Sequence, residues 1–396
     1  MAQIVFAWEI GARLGHIGPM MPVAAALAAR GHIVHAYLRE PEGAADMADA
    51  ASLRIFPAPR WIGEVVVPAG LNLGELLLNY GFHAADALAQ LVEAWRDRLA
   101  GADLLVSNVA PAAIVAARIL GLPYLEMSQG FHIPPASFPA PPFRDWEPAP
   151  RRRLEAADRR VLDSINAISS AHDVPELDTL GGLYIDRLAL LTYPELEMYP
   201  ERGPSEYYGI VAGASRDMVD WPAGTPRMLA YLYADYRHLS AFLEAVSRRA
   251  GAAVVVCPGI EGALRARFSS EQFIVSEALL DLPRMVKTAD LVACHASHQT
   301  TSEALLAGRP VLLMPTQAEQ FLTMRRVVRF GAGLGVASDV QQPDFDSALA
   351  SLLEKPAFTA RARAFGARYL AHDRARALRS LIERCEQAIQ RASPAG

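Results

Sequence analysis

Cysteine is scarce: Cys257, Cys294 and Cys385 are the only three in 396 residues, and they lie far apart. That spacing supports neither a disulfide framework nor a cluster of metal ligands, and it fits a reducing, cytoplasmic setting. A basic excess is also absent. Lys and Arg number 38 against 43 Asp and Glu, for a net charge of −5, which leaves a nucleic-acid partner without electrostatic support. No apolar run reaches the roughly 18–20 residues that span a bilayer. The opening MAQIVFAWEIGARLGH lacks the basic-then-apolar layout of a secretory leader. There is no short tandem repeat, and no low-complexity tail beyond the last few residues. What is present is apolar mass: 52% of residues are hydrophobic, enough for two core-forming domains.

Strand-like and helix-like segments alternate along the chain. QIVFAWEI (3–10) is a β-branched and aromatic run that ends at Gly11. GPMMPVAAALAARGH (18–32) has helical spacing and a C-capping Gly31, and IVHAYL (33–38) follows as a strand. This β-α-β beginning predicts a parallel, doubly wound sheet. Strands 102–108 and 123–128 continue it, with a helix between them. Prolines in 131–153 exclude regular structure and predict an ordered loop, followed by an amphipathic helix over 152–172 and a strand over 188–196. Residues 200–226 are rich in Pro and Gly and read as a linker. Beyond it the alternation resumes, with strands at 228–233, 252–257, 273–276, 290–295 and 310–315 and helices at 238–250, 282–288, 300–307 and 318–330. Residues 360–392 have helical periodicity throughout.

The most informative turn is ACHASHQTTSEALLAGRPVLLMP (293–315), where a small-residue strand end enters a helix. Helix starts present unpaired N–H groups and the positive end of a dipole, which suit a phosphate, and ligands of open α/β sheets sit beyond the C-terminal ends of strands. Yet the glycines that let a backbone approach phosphate closely are missing. Taken alone, Thr300 reads as an ordinary helix cap.

The segment resembles the donor-binding signature of the family 1, UDP-glycosyltransferase-like enzymes. The plant form runs H-C-G-W-N-S-x-x-E, then G-x-P, P and D-Q. His295, Gln299, Thr300, Glu303, Gly308, Pro310, Pro315 and the pair Glu319–Gln320 fall in register without a gap. The bacterial form, H-G-G-x-G-T-T-x-E-A-L, is matched by TTSEALLAG. Near the start, LGHIGPMMPVAAALAARGH is similar to the family's G-H-x-x-P-x-x-x-L-A-x-x-L-x-x-R-G-H, with Gly15, His16, Pro19, Leu27, Gly31 and His32 in place.

The resemblance implies roles. His295 and the 299–301 turn (Gln299, Thr300, Thr301) bind the donor diphosphate; Ser297 and His298 are further donor-site candidates, His298 standing at the plant Trp position toward the acceptor side. Glu303 takes the ribose, and Glu319 and Gln320 take the transferred sugar. His16 is the base that deprotonates the acceptor, work suited to an imidazole. Several positions depart from the pattern. Asn108 stands where relatives carry an Asp that orients and charges this histidine, so Glu9 at the tip of the first strand is an alternative acid. Ala296, Ser297 and Gln299 replace the glycines. EALLDLPRM (277–285) lacks the aromatic residue that stacks on the base. LAYLYADY (229–236) replaces a Gly-Ser and brings Tyr233 and Asp235 toward the donor. Phe131, Phe138, Phe143 and Trp146 of the Pro-rich loop would line an apolar acceptor pocket.

The expected fold is α/β: two Rossmann-like, doubly wound parallel-sheet domains facing across a cleft (GT-B), with a C-terminal helix crossing back. The expected boundaries are an acceptor-binding domain over 1–205, a linker over 206–226, a nucleotide-sugar domain over 227–375 and a returning helix over 376–396. The resemblance implies an inverting transferase with no metal and no cofactor beyond a UDP- or TDP-linked sugar, acting on a small-molecule acceptor without nucleic acid or membrane insertion. Two other readings stay open: a catalytically silent sugar-nucleotide-binding or partner-activating protein, and a sugar-nucleotide epimerase.

Overall fold

The computed structural model describes residues 1–11, 14–44, 53–211, 216–371 and 373–392. The chain divides into two units. One comprises Met1–Ala212 together with Asp373–Gly396, the other Gly213–His372.

In the first unit the elements run β1 (Gln3–Trp8), α1 (Leu14–Ala29), β2 (Ile33–Leu38), β3 (Arg54–Pro57), α2 (Leu73–Leu77), α3 (Ala85–Leu99), β4 (Leu104–Ser107), α4 (Pro111–Ile119), β5 (Tyr124–Ser128), α5 (Arg151–Ala171) and β6 (Leu188–Leu190). The strands form one parallel sheet in the order β3-β2-β1-β4-β5-β6. In the second unit they run β7 (Arg227–Tyr231), α6 (Leu239–Arg249), β8 (Ala252–Val256), α7 (Gly262–Phe268), β9 (Phe273–Ser276), α8 (Leu282–Met285), β10 (Leu291–Cys294), α9 (His298–Leu306), β11 (Val311–Leu313), α10 (Ala318–Phe330), β12 (Gly333–Gly335), α11 (Phe345–Glu354) and α12 (Pro356–Arg368). Their order, β12-β11-β10-β7-β8-β9, is also all parallel and repeats the pattern of the first sheet. In each sheet the strand order reverses at one point, between β1 and β4 and between β7 and β10. There the connections leave in opposite directions and open a crevice at the strands' C-terminal ends.

The last helix, α13 (Arg374–Ala392), belongs to the first unit. Its Ala377, Leu381, Ile382 and Cys385 join the core formed by Ile4, Phe6 and Trp8 of β1 and Met20, Val23 and Leu27 of α1. Each fully buried Leu or Ile there contributes about 1.5–3 kcal/mol, which is ample to hold a helix. Arg30 adds an ion pair to Glu386 at 2.8 Å.

Several sequence expectations need correction. The first strand ends at Trp8, because Glu9 and Ile10 turn their N–H groups onto the carbonyl of Val109. The strand expected over 188–196 ends at Leu190 and gives way to a 3₁₀ turn at Pro194–Leu196, where proline removes a ladder donor. The helical stretch expected over 360–392 is divided between α12 and α13; the returning helix, expected from 376, starts at Arg374, and Asp373 caps it by accepting from Ala375 N at 2.9 Å. Part of the expected 206–226 linker is tied to the first sheet, since Tyr208 N donates to Leu190 O at 2.8 Å; residues 212–215 lie outside the described residues. Helix α1 begins four residues earlier than expected and contains Pro19 and Pro22. Pro19 cannot donate to Gly15 O, and the side-chain amide of Gln129 does so instead, at 3.3 Å.

Candidate functional site

The crevice of the first sheet holds His16. It sits near the start of α1, 8% exposed, with its ring stacked on Trp8 at 5.2 Å between centroids. Its Nδ1 lies 2.8 Å from Asn108 Oδ1, just past the end of β4. The amide nitrogen of Asn108 donates to Met127 O at 2.7 Å, so Oδ1 must be the atom facing His16. Nδ1 therefore carries the proton, and Nε2 keeps its lone pair. Burial holds the pKa below its usual 6.5; the hydrogen bond to Asn108 and the charge of Glu40 work against that shift. The ring fits because residue 11 is glycine: its φ is +104°, and a Cβ there would lie 2.1 Å from Nε2.

Two buried carboxyls brace this crevice. Val109, directly after Asn108, has φ 54°, a left-handed conformation that costs an L-residue roughly 1–2 kcal/mol. Its N–H donates to Glu126 Oε1 at 2.9 Å, and Glu126 Oε2 accepts from Ser107 Oγ at 2.5 Å. Its carbonyl accepts from Glu9 N and Ile10 N. Glu9 itself accepts from Ala112 N at 3.1 Å and Ala113 N at 2.8 Å, so its carboxyl caps the N-terminus of α4. Burial raises Glu9 to about 8 and Glu126 to about 7, with their mutual repulsion adding to the shift in Glu9. Glu9, expected as an alternative base, is thus committed to holding the turn and is 6% exposed.

The second sheet presents the glycine-poor turn. Ala296, at the first glycine position of the bacterial pattern, has φ 57°; the backbone keeps the glycine conformation and bears its strain. Ser297 is the N-cap of α9, yet its hydroxyl donates to Thr300 Oγ1 at 2.9 Å and caps no backbone N–H. The first α9 bond among these residues is Thr301 N to Ser297 O, so the preceding N–H groups start the helix without intrahelical acceptors. Gln299 Nε2 donates to Glu303 Oε1 at 2.9 Å. Thr301 and Glu303 are buried, and burial takes His298 down to about 4.

His295 differs from the expectation that it donates to phosphate. Nδ1 is bound to Met314 O at 2.7 Å, and Nε2 accepts from Tyr233 N at 3.0 Å. Tyr233 stacks on the ring at 4.4 Å. Both nitrogens are spent fastening β10 to the ends of β7 and β11, so the ring is a strut of the turn. Gln320 is similar: Oε1 accepts from Thr316 N and Thr316 Oγ1, and Nε2 donates to Tyr233 Oη at 3.2 Å. Glu319, beside it, is partly exposed, and burial of its carboxyl raises it to about 7. Asp235 is exposed past the end of β7.

The aromatic residues of the Pro-rich loop divide. Phe131 and Phe143 are buried and stack on one another at 4.5 Å. Tyr199 Oη donates to Phe131 O, and Asp158 accepts from Ala140 N at 2.6 Å. These two rings are staples of the loop rather than walls of an open pocket. Phe138, with Arg159 over its ring, and Trp146 keep partial exposure. Sequence reasoning missed Gly11, Glu126 and His132. His132 lies 6.2 Å from His16 between ring centroids, and burial lowers it to about 3. An acid inside the apolar strand PYLEMS was the available signal for Glu126. No period marks His132 in its loop.

Both signatures thus fall on the crevices of two sheets with the same strand order. No protein-family model matches the chain. The zeaxanthin glucosyltransferase of Pseudescherichia vulneris is 27% identical over 290 residues, 68% of this chain and 70% of that protein. The structure is similar to that of the calicheamicin glycosyltransferase CalG4, with a TM-score of 0.69 at 18% identity over 99% of both chains. It is also similar to the glycosyltransferase SsfS6 from Streptomyces sp. SF2575, solved with thymidine diphosphate, with a TM-score of 0.65 at 18% identity over 97% of this chain and 100% of that one. The chain therefore has the two-domain GT-B fold of these glycosyltransferases. Among the described residues no helix is long and apolar enough to cross a membrane.

Proposed function

We propose that the chain transfers a sugar from a nucleoside-diphosphate donor, UDP- or TDP-linked, to the hydroxyl of a small, largely apolar acceptor. Transfer inverts the anomeric carbon in one displacement and uses no metal. The observation that carries this reading is the His16–Asn108 contact, which leaves Nε2 as a neutral acceptor of protons at the first switch point. In the second unit, the start of α9 with Ser297 and Thr300 receives the diphosphate, and the helix dipole offsets the charge that builds on it as it leaves. Glu303 and Gln299 face the ribose; Glu319 and Asp235 face the sugar. The bound thymidine diphosphate of SsfS6 supports a nucleoside-diphosphate donor, and the carotenoid named for the bacterial relative supports an apolar acceptor.

His16 accepts the acceptor's proton on Nε2 while the oxygen attacks, and Asn108 holds the ring without adding charge. The test is His16→Ala, assayed with a panel of sugar nucleotides and apolar alcohols. The expected result is a fall in kcat of roughly 10²–10⁴-fold, with nucleotide affinity retained. Nucleotide binding without turnover in the wild-type chain overturns the transferase reading in favour of a silent binding protein, and epimer formation overturns it in favour of an isomerase.

A further inference from the structure

A cavity of about 1010 Å³ opens in the first unit where β5 begins, at the opposite end of that sheet from Asn108. Its walls are the α4–β5 connection, the 174–187 segment and α13. Four guanidiniums line it, those of Arg118, Arg187, Arg384 and Arg391, and the first two lie close to one another. Arg118, in the last turn of α4, donates from Nη2 to Pro175 O at 2.6 Å, while its Nη1 is buried with no hydrogen-bond partner. Arg187 lies over the ring of Tyr124 at 4.5 Å, close enough for its charge to add to the lowering of Arg118 by burial. Among the described residues neither is within ion-pair distance of a carboxylate. Asp186 and Glu383 line the cavity without pairing to them, whereas Arg384 on the far wall is matched by Glu206.

A buried N–H of a charged group with no acceptor is costly, and two neighbouring like charges add to the cost. A planar oxyanion in the cavity offsets the repulsion between the two, because each guanidinium presents several donors in a fixed fork and neither has a carboxylate partner among the described residues. Leu122, Val174 and Ile185 give the same cavity an apolar wall, with Ile185 56% exposed. We propose that this cavity is a second ligand site, which binds a small organic anion by holding its carboxylate or phosphate head between Arg118 and Arg187 and its apolar body against Ile185. The site is independent of both switch points and does not rest on the transferase reading.

The experiment is calorimetry and thermal shift on the full chain with benzoate, phenyl phosphate and inorganic phosphate, each against sodium chloride at matched ionic strength. Saturable binding of benzoate or phenyl phosphate is expected, and which of the two binds more tightly tells a carboxylate ligand from a phosphate one. Arg118→Met and Arg187→Met should each weaken it roughly tenfold or more, as loss of a charge-assisted hydrogen bond does. Arg152→Met, on an exposed position of α5, should leave it unchanged. Arg187 is exposed, so that variant remains informative if Arg118→Met does not fold. No saturable binding above chloride overturns the proposal, as does binding that survives in both lining variants.

Discussion

His16 Nδ1 stands 2.8 Å from Asn108 Oδ1, where an aspartate would place a full negative charge on the same atom. The amide orients the ring as a carboxylate does, but it does not stabilise the imidazolium that forms when the acceptor proton arrives. Burial already lowers the pKa of His16, so the neutral, proton-accepting ring persists to pH values below the usual 6.5.

Asn108→Asp should reverse that shift. A carboxylate at this distance favours the charged ring and raises its pKa. The base is active only when neutral, so activity is lost as pH falls through that pKa. The acidic limb of the kcat/KM profile should therefore move to higher pH in the variant. A limb that stays in place, or moves to lower pH, removes His16 from the role of base.

Glu9→Gln separates a cap from a catalyst. Both carboxyl oxygens of Glu9 accept N–H groups of α4, and an amide keeps one such acceptor. Turnover should stay within a few-fold of wild type. The raised pKa, from 4.5 to about 8, also makes a stability prediction. Over that window the folded state holds a proton that the unfolded chain has released, so stability falls as pH rises, and it is fully present only below 4.5. The slope of Tm against pH between those values should be shallower in Glu9→Gln. If turnover collapses while the Tm profile is unaltered, Glu9 is the base.

The two switch points were legible because their strands are short apolar runs that stop at polar residues with family spacing, namely Glu9, Asn108 and His295. What stayed hidden depends on atoms brought together from distant positions. Nothing local says that His295 uses both nitrogens on Met314 and Tyr233, or that Glu126 reaches back to Val109. Phe131 and Phe143 looked like pocket walls because loop aromatics carry no period to show which side they bury. The start of α13 was blurred by two residues for the converse reason: alanine and arginine continue the helical pattern on both sides of the expected start at 376, and the capping Asp373 marks the boundary at Arg374.

Ala296→Gly should stabilise the chain. At φ 57° a methyl side chain costs roughly 1–2 kcal/mol, partly offset by the greater freedom of glycine in the unfolded state. A net gain of roughly 0.5–1 kcal/mol in urea unfolding follows. A loss of stability would mean that the turn does not adopt the left-handed conformation.

The donor turn offers a contrast between a strut and a ligand. His295→Phe keeps a flat ring beside Tyr233 but leaves Met314 O and Tyr233 N without their partners in a buried place. Each such group costs about 1–3 kcal/mol, so this variant should lose stability first, and nucleotide affinity only as the turn loosens. Ser297→Ala removes a hydroxyl that bonds only Thr300 Oγ1 and caps no backbone group. Its stability should hardly change, while its Kd for thymidine or uridine diphosphate should rise several-fold. Because nucleotide binds only the folded chain, the same ordering should appear in the ligand-induced rise of Tm: smaller than wild type in Ser297→Ala from an unchanged apo Tm, and measured from a lower apo Tm in His295→Phe. If His295→Phe keeps its apo stability yet abolishes nucleotide binding, the ring does turn toward phosphate when donor arrives, and the ties to Met314 and Tyr233 are those of the ligand-free turn alone.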